Sequence, residues 1–282
     1  MKRTLFVSDL DGTLLGADSR VSPRSVQMLN EAVGRGALFT VATARTPATV
    51  VPLMQNVRMS LPAIVMTGAA AYETAHGFYT SCSTIADTVA DEIEAAVRAC
   101  GVTPFRYTMG PDGVLDTYYS GTVPSDAEQL FIDQRKHMVL KRMHINEPAA
   151  APRLPESTIM FFAMGPMERI SDAACRLRAA GCCSVSCYTD ATFPGMGLLE
   201  VFRLGVSKAA AIHRLAAEQR VDSITVFGDN LNDLPMMEIA DTAIAVANAA
   251  PEVLAAADLV IGSNTDDSVA RHILDIQTAD SI

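Results

Sequence analysis

Asp9 and Asp11 close an apolar run, Leu5-Phe6-Val7, and a Gly-Thr pair, Gly12-Thr13, follows at once. A short apolar run of this kind reads as a buried strand, with the two acids at its carboxyl end. Further polar residues stand at comparable places: Thr43 after residues 37–42, Lys208 at the head of a helical stretch, and Asp229, Asn232 and Asp233 after residues 224–227. In an open parallel α/β sheet, ligands bind at the carboxyl rim, where strand ends distant in sequence converge. Each group alone reads equally well as ordinary structure: a turn, a solvated helix charge, a capped loop. Together, in this order, they point to phosphoryl transfer.

That chemistry needs charge neutralisation and in-line placement, because the anionic oxygens of a phosphate ester repel a nucleophile. Asp9 and Asp229 can hold a magnesium ion, which favours carboxylates, waters and a phosphate oxygen. Lys208 supplies a fixed positive charge, and the Thr43 hydroxyl can donate to a phosphate oxygen. Asp9 can attack phosphorus to form an aspartyl-phosphate. Asp11 can protonate the leaving oxygen and then take a proton from the hydrolytic water. Gly12 lets the backbone turn and approach a ligand closely.

The elements that must position these groups follow from periodicity. Ser22-Pro23 opens a helix ending near Gly34 and Gly36, and residues 37–42, 47–57 and 63–66 read as strand, helix and strand. The first seventy residues therefore run βαβαβ, which predicts an α/β fold with a parallel sheet. A hairpin is expected around His76-Gly77 and a helix over 84–100 with a capping box at Thr84 and Asp87. Strands over 103–108, 114–118, 159–164 and 184–189, helices from Ser125 and over 167–180, and a loop marked by Pro148, Pro152 and Pro155 give a mixed α+β insert. The parallel pattern returns with a strand over 199–202, a helix over 207–218, strands over 224–227, 243–246 and 259–261, and helices over 236–239 and 268–276. The expectation is one discontinuous α/β domain, 1–82 plus 195–282, with a second domain inserted at 83–194.

The chain has 282 residues, of which 49% are hydrophobic and 19% charged, enough for real cores. Its net charge of −10 argues against a nucleic-acid or anionic-membrane binder, while leaving small anionic substrates open. No apolar run is long enough for a membrane span and no secretory signal precedes Asp9, so the expected location is cytoplasmic and the six cysteines are expected to be free, structural thiols.

The chain resembles the haloacid dehalogenase superfamily, and within it the Cof-like group with a type IIB cap. The resemblance rests on Asp9-Leu10-Asp11-Gly12-Thr13, Thr43 followed by Arg45, Lys208 within Gly205-Val206-Ser207-Lys208, and Gly228-Asp229 with Asn232-Asp233. It implies a Rossmann-like core with a substrate-selecting cap, Asp9 as nucleophile and Asp11 as acid/base. It also implies magnesium on Asp9, the Asp11 backbone carbonyl and Asp229, with Asp233 in support, and Asn248 near the phosphate. Gly12, Arg45, Asn232 and Asn248 are the expected substrate contacts, with Tyr188 as a further one. Three positions depart from the group's usual pattern: Ala44 for Gly, Thr67 for Asn and Ser268 for Gly. The implied activity is magnesium-dependent hydrolysis of small phosphate monoesters, such as sugar phosphates or phosphorylated cofactors. A phosphomutase sharing the intermediate and a non-catalytic binding protein on the same scaffold are the alternatives.

Among the remaining residues, the histidines at 76, 137, 144, 213 and 272 lack ligand spacing, and the fourteen methionines read as core fillers. Lys136, His137, Lys141, Arg142 and His144 form a basic stretch, either a solvated face or a surface that receives an anionic substrate. Phe193-Pro194-Gly195-Met196-Gly197 is the expected hinge between the domains.

Overall fold

The computed structural model describes residues 3–121, 123–147, 154–190 and 193–279. Pro148 and Pro152 of the expected proline loop lie outside the described residues. The first part of the chain contributes β1 (Thr4–Ser8), α1 (Pro23–Gly34), β2 (Leu38–Val41), α2 (Pro47–Met54), β3 (Ala63–Val65), β4 (Ala70–Glu73) and β5 (Phe78–Cys82). The middle contributes α3 (Asp87–Ala99), β6 (Phe105–Met109), β7 (Leu115–Tyr119), α4 (Asp126–Asp133), β8 (Lys141–Ile145), β9 (Thr158–Pro166), α5 (Met167–Ala180), β10 (Cys183–Thr189) and β11 (Met196–Arg203). The last part contributes α6 (Lys208–Gln219), β12 (Ser223–Gly228), α7 (Leu234–Met237), β13 (Thr242–Val246), α8 (Pro251–Ala256), β14 (Leu259–Ile261) and α9 (Ser268–Ala279).

The first unit comprises residues up to Ser81 and from Ser207 onward. Its central sheet has the order β14-β13-β12-β1-β2, and every pairing is parallel. Leu5, Phe6 and Val7 are fully buried, as expected where a parallel strand is covered on both faces. Parallel pairing sends every carboxyl end to one rim, so Asp9, Thr43, Asp229 and Asn248 follow adjacent strands at the same edge. The chain steps from β1 to β2 in one direction and later fills β12, β13 and β14 in the other. This places the switch point of the sheet at β1, beside β12, where loops diverge and leave a crevice. A single parallel bridge, Ala42 to Ile64, continues the sheet to β3, which heads an antiparallel β3-β4-β5 sheet.

The second unit spans Cys82–Val206 and holds a six-stranded sheet of order β10-β11-β9-β6-β7-β8. Its pairings are antiparallel except for β7 with β8. Helices α3 and α5 bury Ile93, Val97, Ile170 and Leu177 against Phe161, Ala163, Leu199 and Val201 on one face. Residues of the other face, Phe105 and Phe162, pack with Phe131 of α4, whose ring stacks on Phe162 at 4.9 Å.

Several expectations need correction. The domain boundary falls at Val206 rather than at 194, because β11 pairs along its length with both β10 and β9. Apolar content alone assigned this strand to the parallel sheet, and its pairing partners decide otherwise. The expected hinge lies between two strands of one sheet, with Met196 N–H bonded to the Phe193 carbonyl at 3.1 Å, so it does not join the units. The capping box expected at Thr84 is absent. Helix α3 starts at Asp87 after Ala86, and the Asp87 carboxylate accepts from the Glu156 amide at 3.0 Å instead. The box at Ser125 and Glu128 is formed.

Lys136, His137 and Arg142 of the basic stretch are exposed, as on a solvated face, and Lys136 pairs with Asp133 at 2.8 Å. Arg142 is held by Asp112 and Asp116, and His144 stacks on Tyr118 while bonding Asp116 and Glu147. Lys141 is only 3% exposed; its amine donates to the Tyr107 hydroxyl at 2.8 Å and lies over that ring. Burial first, and then the nearby Arg135 charge, lower the Lys141 amine from 10.5 to about 7. Between these values the unfolded chain carries a proton that the folded chain lacks, so wild-type stability rises with pH across the window. Lys141→Met removes this dependence. The melting temperature of the variant minus that of wild type is expected to fall by several degrees from pH 6.5 to 9.5. A difference that stays flat over that range would show the amine to be charged in the folded protein.

Candidate active site

Strand β1 ends in Ser8, and the chain turns out of the sheet at Asp9, whose N–H still reaches the Phe227 carbonyl of β12 at 2.9 Å. Residues Leu10–Leu14 then form a wide turn, closed by the Leu15 N–H on the Leu10 carbonyl at 2.9 Å. Gly12 makes the turn possible. It sits at φ +80°, and a Cβ there would lie 2.3 Å from the Asp229 carboxylate.

Lys208 is the first residue of α6, whose N-cap Ser207 accepts from the Ala210 amide at 3.1 Å. Its amine is 2% exposed and donates to Asp9 Oδ1 at 2.5 Å and Asp233 Oδ1 at 2.8 Å. The second Asp233 oxygen accepts from the Asp229 and Asn230 amides at 3.1 and 3.2 Å, fixing the loop after β12. Thr13 donates to Asp229 Oδ1 at 2.6 Å and so ties the loop after β1 to the loop after β12. Gly68 (φ +94°) lets the segment after β3 pass the Ser207 carbonyl, which a Cβ would approach to 2.2 Å.

Carboxylate oxygens of Asp9, Asp229 and Asp233 lie within 4.8 Å of one another. Burial pushes the Asp9 carboxyl up to about 7; Lys208 opposes the shift, and Asp233 and Asp229 add to it. Burial likewise raises Asp229 to about 6, against the Thr13 hydrogen bond and with Asp233 repulsion. Burial also opposes the charge on Lys208, but Asp9 and Asp233 outweigh it and hold the ammonium above the ordinary lysine range. Three carboxylates against one ammonium leave the cluster two positive charges short of balance. An all-oxygen, compact, electron-rich donor set of this kind fits a hard divalent cation such as magnesium.

Asp11 stands apart from this cluster. Its side chain is 52% exposed and pairs with Arg45 through two bonds of 2.6 and 2.7 Å. The Asp11 carboxylate is therefore not among the clustered oxygens. Thr43 is buried, and its hydroxyl accepts from the Arg45 amide at 3.2 Å. Asn248 donates to the Gly12 carbonyl at 2.8 Å, so it supports the turn from behind. Asn232 is exposed on the turn Leu231–Asp233, and Tyr188, 41% exposed, lies on β10 of the second unit. Thr67 holds φ +56°, a left-handed position that Asn occupies more readily than a β-branched residue. The contacts of Thr13 and the bracing role of Asn264, whose side chain donates to the Leu15 carbonyl at 2.8 Å, were not read from the sequence. Thr13 lies within the first motif and was findable there; Asn264 is one of many asparagines in turns and carries no signal.

A family profile described as haloacid dehalogenase-like hydrolase matches residues 6–273, and the chain belongs to that family. The pyridoxal phosphate phosphatase YbhA of Escherichia coli is 24% identical to it, over 97% of this chain and 98% of that protein. The 5-amino-6-(5-phospho-D-ribitylamino)uracil phosphatase YwtE of Bacillus subtilis is also 24% identical, covering 94% of this chain and 95% of its own length. The fold is shared with the subclass IIB sugar phosphatase BT4131, at a TM-score of 0.72, 18% identity, and coverage of 97% and 98% of the two chains. The chain is an enzyme of the haloacid dehalogenase phosphatase type.

Gly12→Ala tests the packing of the two loops. The added methyl must displace the Asp229 carboxylate and adopt a disfavoured backbone. Phosphatase turnover is expected to fall at least about 100-fold, given the cost of displacing catalytic groups by about 1 Å. Retention of wild-type turnover in a folded variant would disprove the close approach.

Proposed function

We propose that this enzyme hydrolyses small phosphate monoesters, with magnesium bound, through an aspartyl-phosphate on Asp9. The observation that supports this most is the buried contact of Lys208 with Asp9 and Asp233 beside Asp229, at the switch point of a parallel sheet. Lys208 holds Oδ1 of Asp9 and fixes the carboxylate plane, and the other oxygen attacks phosphorus. As that bond forms, the bond from phosphorus to the ester oxygen breaks, and Asp11 delivers a proton to the leaving oxygen. Ionised Asp11 then takes a proton from a water, whose oxygen attacks phosphorus and releases inorganic phosphate and the Asp9 carboxylate. In this structure Arg45 pairs with both oxygens of Asp11, and that pair opens for Asp11 to carry the proton it delivers. Thr43 offers its hydroxyl to a phosphoryl oxygen, while Gly12, Asn232 and Asn248 frame the phosphate.

Asp9, Asp229 and Asp233, with the Asp11 backbone carbonyl, would hold the magnesium ion, which supplies charge neutralisation at the phosphoryl oxygens. The relatives act on phosphorylated ring-bearing metabolites by name, pyridoxal phosphate and a phosphoribitylamino-uracil, which supports a phosphorylated cofactor or sugar as substrate here. The second unit, Cys82–Val206, would then be the substrate-selecting domain. A cytoplasmic location is part of this proposal, supported by the six free cysteines.

Release of phosphate from p-nitrophenyl phosphate and a panel of phosphorylated sugars and cofactors tests the proposal. Wild type is expected to require magnesium, to lose activity with EDTA and to recover it on readdition. Asp9→Asn is expected to lower turnover by at least ~1,000-fold, since removing the nucleophile removes the covalent route. Equal activity of wild type and Asp9→Asn would overturn the mechanism.

A further inference from the structure

The turn that carries Asp11 is fastened from the C-terminal side by a pair of asparagines. Two carbonyls of the segment between Asp9 and Leu15 take no part in closing the turn. The Gly12 carbonyl accepts from Asn248 Nδ2 at 2.8 Å, and the Leu15 carbonyl accepts from Asn264 Nδ2 at 2.8 Å. The two asparagines are themselves linked, because the Asn264 backbone N–H donates to Asn248 Oδ1 at 2.9 Å. The Ser263 hydroxyl lies 3.3 Å from Asn248 Oδ1 and 3.1 Å from Asn264 Oδ1; since the Asn264 N–H already serves Asn248, its single proton is free for Asn264. With each amide oxygen engaged by donors, each amide NH₂ is directed at a loop carbonyl, which settles the orientation of both groups.

The turn Asn264–Asp266 is itself anchored. Ser263 and Asp266 form a capping box, and the Ser268 hydroxyl donates to the Gly262 and Ser263 carbonyls at 2.8 and 2.9 Å. The next residue, Asp267, accepts from the Ser25 hydroxyl at 2.8 Å and also from Ser22, both at the start of α1. Asn264 therefore bridges a rigid, cross-braced turn to the far end of the loop that bears the acids. Its hydrogen bonds go to Leu15, Asn248 and Ser263 and not to Asp9 or Asp11.

We propose that Asn264 is a positioning residue: by holding the Leu15 carbonyl, and Asn248 with it the Gly12 carbonyl, it sets where the Asp11 side chain stands relative to Asp9. This rests on the roles given above to Asp9 and Asp11. The energetic case is geometric. One hydrogen bond contributes little net stability, whereas a displacement of about 1 Å in a reacting group costs on the order of 100-fold in rate. The effect on turnover should therefore exceed the effect on stability.

Asn264→Ala removes the donor to Leu15 without adding charge, and Asn264→Asp keeps the size while setting a charged acceptor against the Leu15 carbonyl. In the full-length protein with magnesium, kcat for p-nitrophenyl phosphate is expected to fall about tenfold or more in both variants, with KM within about twofold and the melting temperature within a few degrees. The double variant Asn248→Asp/Asn264→Asp should lose less than the product of the single losses, because both act on one loop. Thr278→Ala, which loses a hydrogen bond on α9 to Leu274, serves as a control with unchanged kcat. Amide hydrogen exchange over residues 10–15, read by mass spectrometry, is expected to quicken in Asn264→Asp and not in the control. If wild type hydrolyses no ester, the phosphatase reading fails and exchange alone decides the tether. Exchange unchanged from wild type, or a kcat that falls only in step with lost stability, overturns the proposal.

Discussion

One buried ammonium holds the active-site rim together. Lys208 reaches from the first turn of α6 to Asp9 at the end of β1 and to Asp233 after β12, and all three side chains are nearly inaccessible to water. A buried ion pair gains little net stability over an apolar substitute, but loss of one partner strands the others in a low-dielectric setting. The cost of removing Lys208 is thus paid by two carboxylates at once. The third carboxylate, Asp229, is held by Thr13 rather than by a cation, and the surplus of negative charge is what suits the cluster to a divalent ion. Structure and chemistry share one electrostatic arrangement: the surplus negative charge that repels within the cluster is the charge a divalent cation would neutralise, and that cation would in turn attract the anionic phosphoryl group.

Everything around this cluster serves to bring loops close. Parallel pairing delivers the loops to one edge, and the reversal of strand order at β1 parts them. Gly12 and Gly68 then allow backbone where a side chain would collide with Asp229 and with the Ser207 carbonyl. The turn bearing Asp11 is pinned on three sides, by Thr13 to Asp229, by Asn248 at Gly12 and by Asn264 at Leu15. Ser268 adds a hydroxyl that secures the Asn264 turn.

The inserted unit obeys different rules. Its antiparallel sheet buries one face under α3 and α5, while aromatic residues and α4 fill part of the other. Part of the basic run in the sequence is partnered within the unit: Arg142 and His144 by acids on or beside β7, and the buried Lys141 by the Tyr107 hydroxyl and ring. A cationic run is therefore a poor guide to a ligand-facing surface when strand pairing can set each charge against a neighbour.

Local pattern determined much of this protein. The βαβαβ start, the fully formed α5 and the box at Ser125 follow from apolar period and capping chemistry, which act over a few residues. The residues of the acidic cluster were legible too, because aspartates at strand ends have few structural uses in common. Tertiary structure alone decided the rest. It assigned β11 to the inserted sheet, since an apolar strand does not encode its partners. It separated the Asp11 carboxylate from the other acids and gave it to Arg45, a choice made by side chains distant in sequence. It also recruited Asn264 across 249 positions to the Leu15 carbonyl, a bond that exists only because the parallel sheet brings the last turn beside the first.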